Sequence, residues 1–152
     1  MATHVDDLLG VGGEWFNNVL LKELDKEFGF GSQEFDDFRH TGKRIRKDMT
    51  TGKIYVSMPE YVENITAPRV SQERRKTPEE KLTPLEKQQF RQVNGSLQWL
   101  QFQSRPDLSY GVSVSQGNIE EATVKHLTNS QLLVRHAKQH ADFGTRAPVP
   151  RP

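Results

Sequence analysis

The sequence predicts an α+β fold in two unequal parts, and three observations carry that reading. Short apolar runs around residues 5–11 and 53–58 are spaced as strands are, while residues 16–28 and 90–100 repeat their apolar positions at helical spacing. Between the two halves, residues 68–82 are rich in Pro and cations and hold little to bury. The chain has 152 residues, enough for one ordinary domain or two small pieces. Apolar residues make up 34%, against roughly 45–50% with glycine counted in an average domain. With a mean hydropathy of −0.75, a thin core is expected.

Taken in order, Val5, Leu8, Leu9 and Val11 suit two short strand arms with Asp6 and Asp7 at the bend. A helix over 14–28 follows, with Phe16, Leu20, Leu24 and Phe28 at i+4 spacing and Lys22, Glu23, Asp25 and Lys26 opposite, so it is expected to lie on a sheet. Gly29 and Gly31 end it. A hairpin then turns at residues 49–52, its first arm running from Asp36 to Asp48 and its second placing Ile54, Val56 and Met58 on one face. Residues 60–65 read as a short helix after Pro59.

Thr83, Pro84 and Glu86 form a capping box with Pro at the first helical position. Phe90, Val93, Leu97 and Leu100 line the helix that follows. Residues 106–116 fit either state: Leu108, Tyr110, Val112 and Val114 alternate like a strand, yet Pro106 suits a helix start. A last helix capped by Asn118 is expected to reach about His140, and 142–152 reads as a disordered Pro-rich tail.

Composition excludes several functions. Zero cysteines rule out a disulfide scaffold, thiolate zinc sites and thiol catalysis. No apolar run reaches the roughly 18 residues of a membrane span, and Asp6 and Asp7 precede any basic residue, unlike a signal peptide. The expectation is an intracellular chain, in cytoplasm or nucleus, with no membrane partner. The net charge of +1 hides an asymmetry: residues 1–37 carry nine acidic groups against Lys22 and Lys26, and residues 38–152 carry 19 basic against 11 acidic. That division fits an acidic or metal-binding part followed by one that meets a polyanion.

Three motifs are set aside. Gly10-Val11-Gly12-Gly13 is similar to a phosphate loop, but the third glycine of that pattern falls at Trp15. Asp142-Phe143-Gly144 has no catalytic loop upstream of it. His136 and His140 stand at i, i+4 without a third ligand. Asp6 and Asp7, taken alone, read as an Asp-Asp turn or a helix N-terminus before they read as a metal site.

In chain order the pieces show a resemblance. His4-Val5-Asp6-Asp7-Leu8-Leu9 is similar to the Tyr-Val-Asp-Asp-Leu-Leu signature of reverse transcriptases, with His4 in the place of Tyr. Phe38 to Lys43 resembles the hairpin that follows the catalytic loop. Leu82-Thr83-Pro84-Leu85-Glu86, Phe90-Arg91, Gly95-Ser96-Leu97-Gln98-Trp99-Leu100 and Arg105-Pro106-Asp107-Leu108-Ser109-Tyr110 then follow in the order found in copia-type LTR retrotransposon polymerases. The match runs over about residues 3–140.

The resemblance implies a polymerase palm remnant of hairpin, helix and hairpin (1–67), a basic linker (68–82), a mainly helical thumb-like region (83–141) and the tail (142–152). It implies a part of an RNA-directed DNA polymerase. In the intact enzyme, Asp6 and Asp7 are catalytic and hold Mg²⁺ or Mn²⁺ for two-metal phosphoryl transfer. The family's third metal-binding Asp and its fingers lie upstream of this segment, so the chain is expected to be inactive alone and to bind no metal tightly. Lys43, Arg44, Arg46, Lys47, Arg74, Arg75 and Lys76 would contact nucleic-acid phosphates. RNA template, DNA primer and the rest of the Pol polyprotein are the implied partners. The alternative is a non-catalytic basic nucleic-acid-binding or residual retroelement-derived protein.

Overall fold

The computed structural model describes residues 2–4, 7–117 and 119–147, with side chains from Leu8 onward. The fold is α+β. Strands β1 (Ala2–His4) and β2 (Asp7–Leu9) pair antiparallel. The bend expected to carry the carboxylates falls at Val5 and Asp6, outside the described residues. A helical turn at Glu14 and Trp15 leads through a π-helical stretch, Phe16–Leu20, into α1 (Leu21–Phe28). Gly29 closes α1 with φ of 62°, the left-handed cap that the sequence predicts.

Gly10 and Gly12 approach the Phe16 side chain so closely that a Cβ on either would overlap it. These glycines therefore answer to packing. The expectation that this helix lies on a sheet is not met: neither the π-helical stretch nor α1 buries a residue, and Phe28 is exposed. Periodicity gives the helix its apolar stripe but does not supply a surface to cover it.

The main sheet has four antiparallel strands in sequential order: β3 (Asp37–His40), β4 (Lys43–Lys47), β5 (Ile54–Ser57) and β6 (Gly144–Ala147). The arm expected over 36–48 is itself a hairpin, turning at Thr41 and Gly42, both at positive φ. The next turn is stapled by Asp48, whose side chain accepts from the Thr50 and Thr51 amides at 2.9 and 3.0 Å. These amides hold the Asp48 carboxyl below its ordinary range, the Thr51 bond first. β6 lies where a disordered tail is expected. Its four residues have no strand pattern of their own and exist as a strand because β5 offers an open edge.

Pro59 opens α2 (Pro59–Asn64). The core is helical: Met58, Val62 and Ile65 join Val93, Leu97 and Leu100 of α4 (Pro84–Gln103), Leu108, Val112, and Val134 and Ala137 of α6 (Val124–Gln139). Thr83 and Glu86 make the predicted capping box on α4. Residues 106–116, open between strand and helix on periodicity, form a 3₁₀ turn (Pro106–Leu108) and α5 (Ser109–Gly117). The cap of α6 is Thr123, whose hydroxyl and amide meet His126 Nδ1 at 3.0 and 3.1 Å. Asn118, the expected cap, lies outside the described residues.

Residues 68–82, expected as a linker with little to bury, are docked. They hold the short α3 (Gln72–Arg75), and Val70 and Leu82 pack on Phe90, Ala122 and Leu127. Their backbone bonds the start of α6: Val124 N to Glu80 O at 3.0 Å and Lys125 N to Pro78 O at 2.9 Å. Among the described residues no helix is long and apolar enough to cross a membrane.

Candidate nucleic-acid interface

Side chains alternate across a strand, so β4 divides its cations between two faces. Arg44 and Arg46 point one way; Lys43 and Lys47 point the other, with Ile45 between them. Register then extends each face across the sheet. Asp37, Arg46, Tyr55 and Arg146 stand opposite one another in one row over all four strands. Arg39, Arg44, Ser57 and Gly144 form the next row on the same face. The reverse face carries Phe38, Ile45, Ile54, Val56 and Ala147, all half-buried.

The four arginines on the first face are not equivalent. Arg44 Nε and Nη2 donate to both Asp37 carboxylate oxygens at 2.9 and 2.8 Å, and Arg44 Nη1 lies 3.8 Å from Asp142. This fork lowers the Asp37 pKa, the Arg44 hydrogen bond first, and raises that of Arg44. Arg39 pairs with Glu60. Arg46 sits over the Tyr55 ring, 5.8 Å from its centroid, a cation–π distance. Neither Arg46 nor Arg146 has a carboxylate within 4 Å among the described residues. The available charge on this face is therefore two arginines flanking one tyrosine.

The other expected contacts are dispersed. On the reverse face, Lys47 reaches Asp36 at 3.5 Å and Lys43 has no ion pair among the described residues. Arg74 is neutralised within the chain. It forks onto Glu86 at 3.0 and 2.9 Å, pairs with Glu80 and donates to Lys81 O at 3.0 Å. That fork holds the Glu86 carboxyl below its usual range, with the Arg74 bond the largest cause. Arg75 turns to Gln131 on α6 at 2.6 Å, and Lys76 is exposed. These three cations lie on or beside α3, apart from the sheet face in the chain.

Asp7 is described only as a backbone position in β2, paired with His4, and Asp6 lies outside the described residues. Among the described residues no three His, Asp or Glu side chains gather as a metal site. Sequence reasoning missed Arg39, Tyr55 and Arg146. Tyr55 was within reach, since it alternates with Ile54 and Val56; Arg146 belongs to the strand that only pairing reveals. No family model matches this chain, and neither a curated protein nor a solved structure is significantly similar to it.

Proposed function

We propose that this chain is a part of a copia-type RNA-directed DNA polymerase and that its four-stranded sheet meets the nucleic-acid backbone through Arg46 and Arg146, with Tyr55 between them. The observation that carries the reading is the row Arg46–Tyr55–Arg146, which places beside one aromatic ring two guanidinium groups with no ion pair among the described residues. Guanidinium groups bind phosphate oxygens with no preference for base, and an aromatic between them offers a stacking surface to an unpaired base. Arg39 and Arg44 stand on the same face, but Glu60 and Asp37 already occupy them. Their role is to fix the sheet surface.

In the family that the sequence resembles, carboxylates hold divalent ions that neutralise charge on the transferred phosphoryl group. Asp6 and Asp7 are the residues of this chain that would contribute to such a site. The sheet face itself has no catalytic group and would position a strand.

The test is fluorescence anisotropy of a labelled RNA–DNA hybrid titrated with the chain over a range of salt. Binding on the order of 10⁻⁴–10⁻⁶ M at physiological salt is expected. Arg46→Ala and Arg146→Ala should each lower the salt slope by about one unit, without changing sequence preference. Arg44→Ala should change it much less, because Asp37 holds that charge. An unchanged slope in both of the first two variants would remove the sheet face from the interface.

A further inference from the structure

We propose that the groove between α3 and the C-terminal half of α6 binds a small, multiply charged phosphate compound. The groove is open to solvent and has a volume of about 590 Å³, within the range of roughly 300–1,000 Å³ typical of small-molecule sites. Gln131, Arg135 and Lys138 recur at i, i+4 and i+7 on one side of α6 and face into it, and Arg75 closes it from the end of α3. No Asp or Glu lines it.

Two of the three cations are held, and by neutral acceptors. Gln131 donates its amide to Pro68 O at 3.1 Å, which turns its oxygen toward Arg75 to accept from Nη2 at 2.6 Å. Lys138 Nζ donates to Glu63 O at 2.7 Å. Arg135 has no carboxylate partner among the described residues. A carbonyl or amide oxygen orients a cation without cancelling its charge, so Arg75 and Lys138 are held at the groove with their charge intact, and Arg135 lines it as a third cation. Arg74 provides the contrast one residue away, where two glutamates neutralise it.

Three uncompensated charges suit a ligand with more than one ionised phosphate, and the fork of Arg135 suits its oxygens. The cavity exceeds what a single phosphate fills, and Ala67 and Leu132 in its lining leave room for an uncharged body between phosphate groups. A bisphosphorylated sugar has that shape and chemistry. The inference does not depend on the sheet face, since it uses other residues on other elements.

Isothermal titration of the whole chain with inorganic phosphate and with fructose 1,6-bisphosphate as probes tests it. The bisphosphate should bind at one saturable site, at least ten-fold more tightly than inorganic phosphate. Arg135→Gln and Lys138→Gln should each weaken it ten-fold or more, with Lys53→Gln and Arg46→Ala leaving it unchanged. Circular dichroism of each variant separates lost binding from lost fold. Arg135 bonds to no described backbone group, so its variant stays informative if Lys138→Gln unfolds. The proposal is overturned if the bisphosphate shows no saturable binding, if Lys53→Gln weakens it equally, or if the groove variants impair only binding of an oligonucleotide.

Discussion

Arg105 is fully buried, and its removal tests what joins α5 to the end of α6. Its Nε and Nη2 donate to the two Asp107 oxygens, both at 2.8 Å, and Nη1 donates to the carbonyls of Ala137 and His140 at 3.2 and 2.9 Å. The Ala137 carbonyl, in the last turn of α6, and the His140 carbonyl just beyond it each accept one backbone amide, from His140 at 3.3 Å and Phe143 at 3.0 Å. Arg105 adds a charged second donor at an end where the helix dipole favours a cation. The two partners differ in exposure: Arg105 is at 0% and Asp107 at 40%. Asp107→Ala therefore leaves a buried guanidinium half-paired and should cost about 3–5 kcal/mol. Arg105→Met leaves a carboxylate that water can reach and two carbonyls that each keep a backbone donor, and should cost about 1–2 kcal/mol. The double variant should be more stable than additivity predicts, by about 1–3 kcal/mol.

Urea unfolding followed by far-UV circular dichroism reads all three variants against the parent. The pH dependence has a definite sign. Arg105 is the first cause lowering the Asp107 pKa, with His136 at 3.7 Å adding to it. A carboxylate with a depressed folded pKa contributes stability above its unfolded value, about 3.9, and loses it as pH falls through the folded value. The deficit of Asp107→Asn should be constant above about pH 5 and shrink in stronger acid. An Asp107→Ala cost under about 1 kcal/mol, or strict additivity in the cycle, would refute this account.

Three further outcomes follow from the same structure. Thr83→Ala removes the α4 cap and should cost about 1 kcal/mol in the same unfolding assay, while Thr83→Asp should retain most of that stability. Leu97→Ala opens a void at the centre of the main core and should cost about 2–5 kcal/mol, whereas Gln88→Ala on the exposed side of α4 should stay within about 0.5 kcal/mol. Amide hydrogen exchange followed by mass spectrometry should find α4 protected and α1 fast, because α4 buries five residues and α1 none.

What the sequence disclosed depended on whether the deciding interaction was local. The α4 cap is readable because Thr83 and Glu86 are three residues apart. The turn at residues 49–52 is readable because Asp48 bonds amides two and three residues on. α5 shows local ambiguity resolved by burial: Leu108, Val112 and Ser115 are buried at i, i+4 and i+7, while Tyr110 and Val114 are exposed. The strand-like alternation thus separates into the two sides of a helix. At the candidate interface, alternation alone divides Arg44 and Arg46 from Lys43 and Lys47. It does not disclose that Asp37 neutralises Arg44, or that Arg146 arrives from a strand about 90 residues on in sequence.

That late strand bears on how the parts cohere. β5 is paired on one side by β4 and on the other by β6, so the C-terminal segment completes the sheet begun by residues 37–57. Immediately after β5 the chain enters the helical core, where Met58, Val62 and Ile65 pack among residues of α4, α5 and α6. Lys138 of α6 is bonded to the Glu63 carbonyl of α2, and Gln131 to that of Pro68. Apolar burial and long-range hydrogen bonds therefore cross both ends of the 68–82 segment, rather than stopping at them. A basic, Pro-containing stretch looks like a linker because its own side chains are polar. It is held in place by its backbone, which bonds the start of α6 through Pro78 and Glu80 and the preceding Ala122 through Leu82. Residue composition cannot report bonds made by the main chain, since every residue type except proline carries the same donor and acceptor. The sheet that presents Arg46, Tyr55 and Arg146 is thus tied at β6 and at Met58 to one helical body, so its surface stands on a packed support.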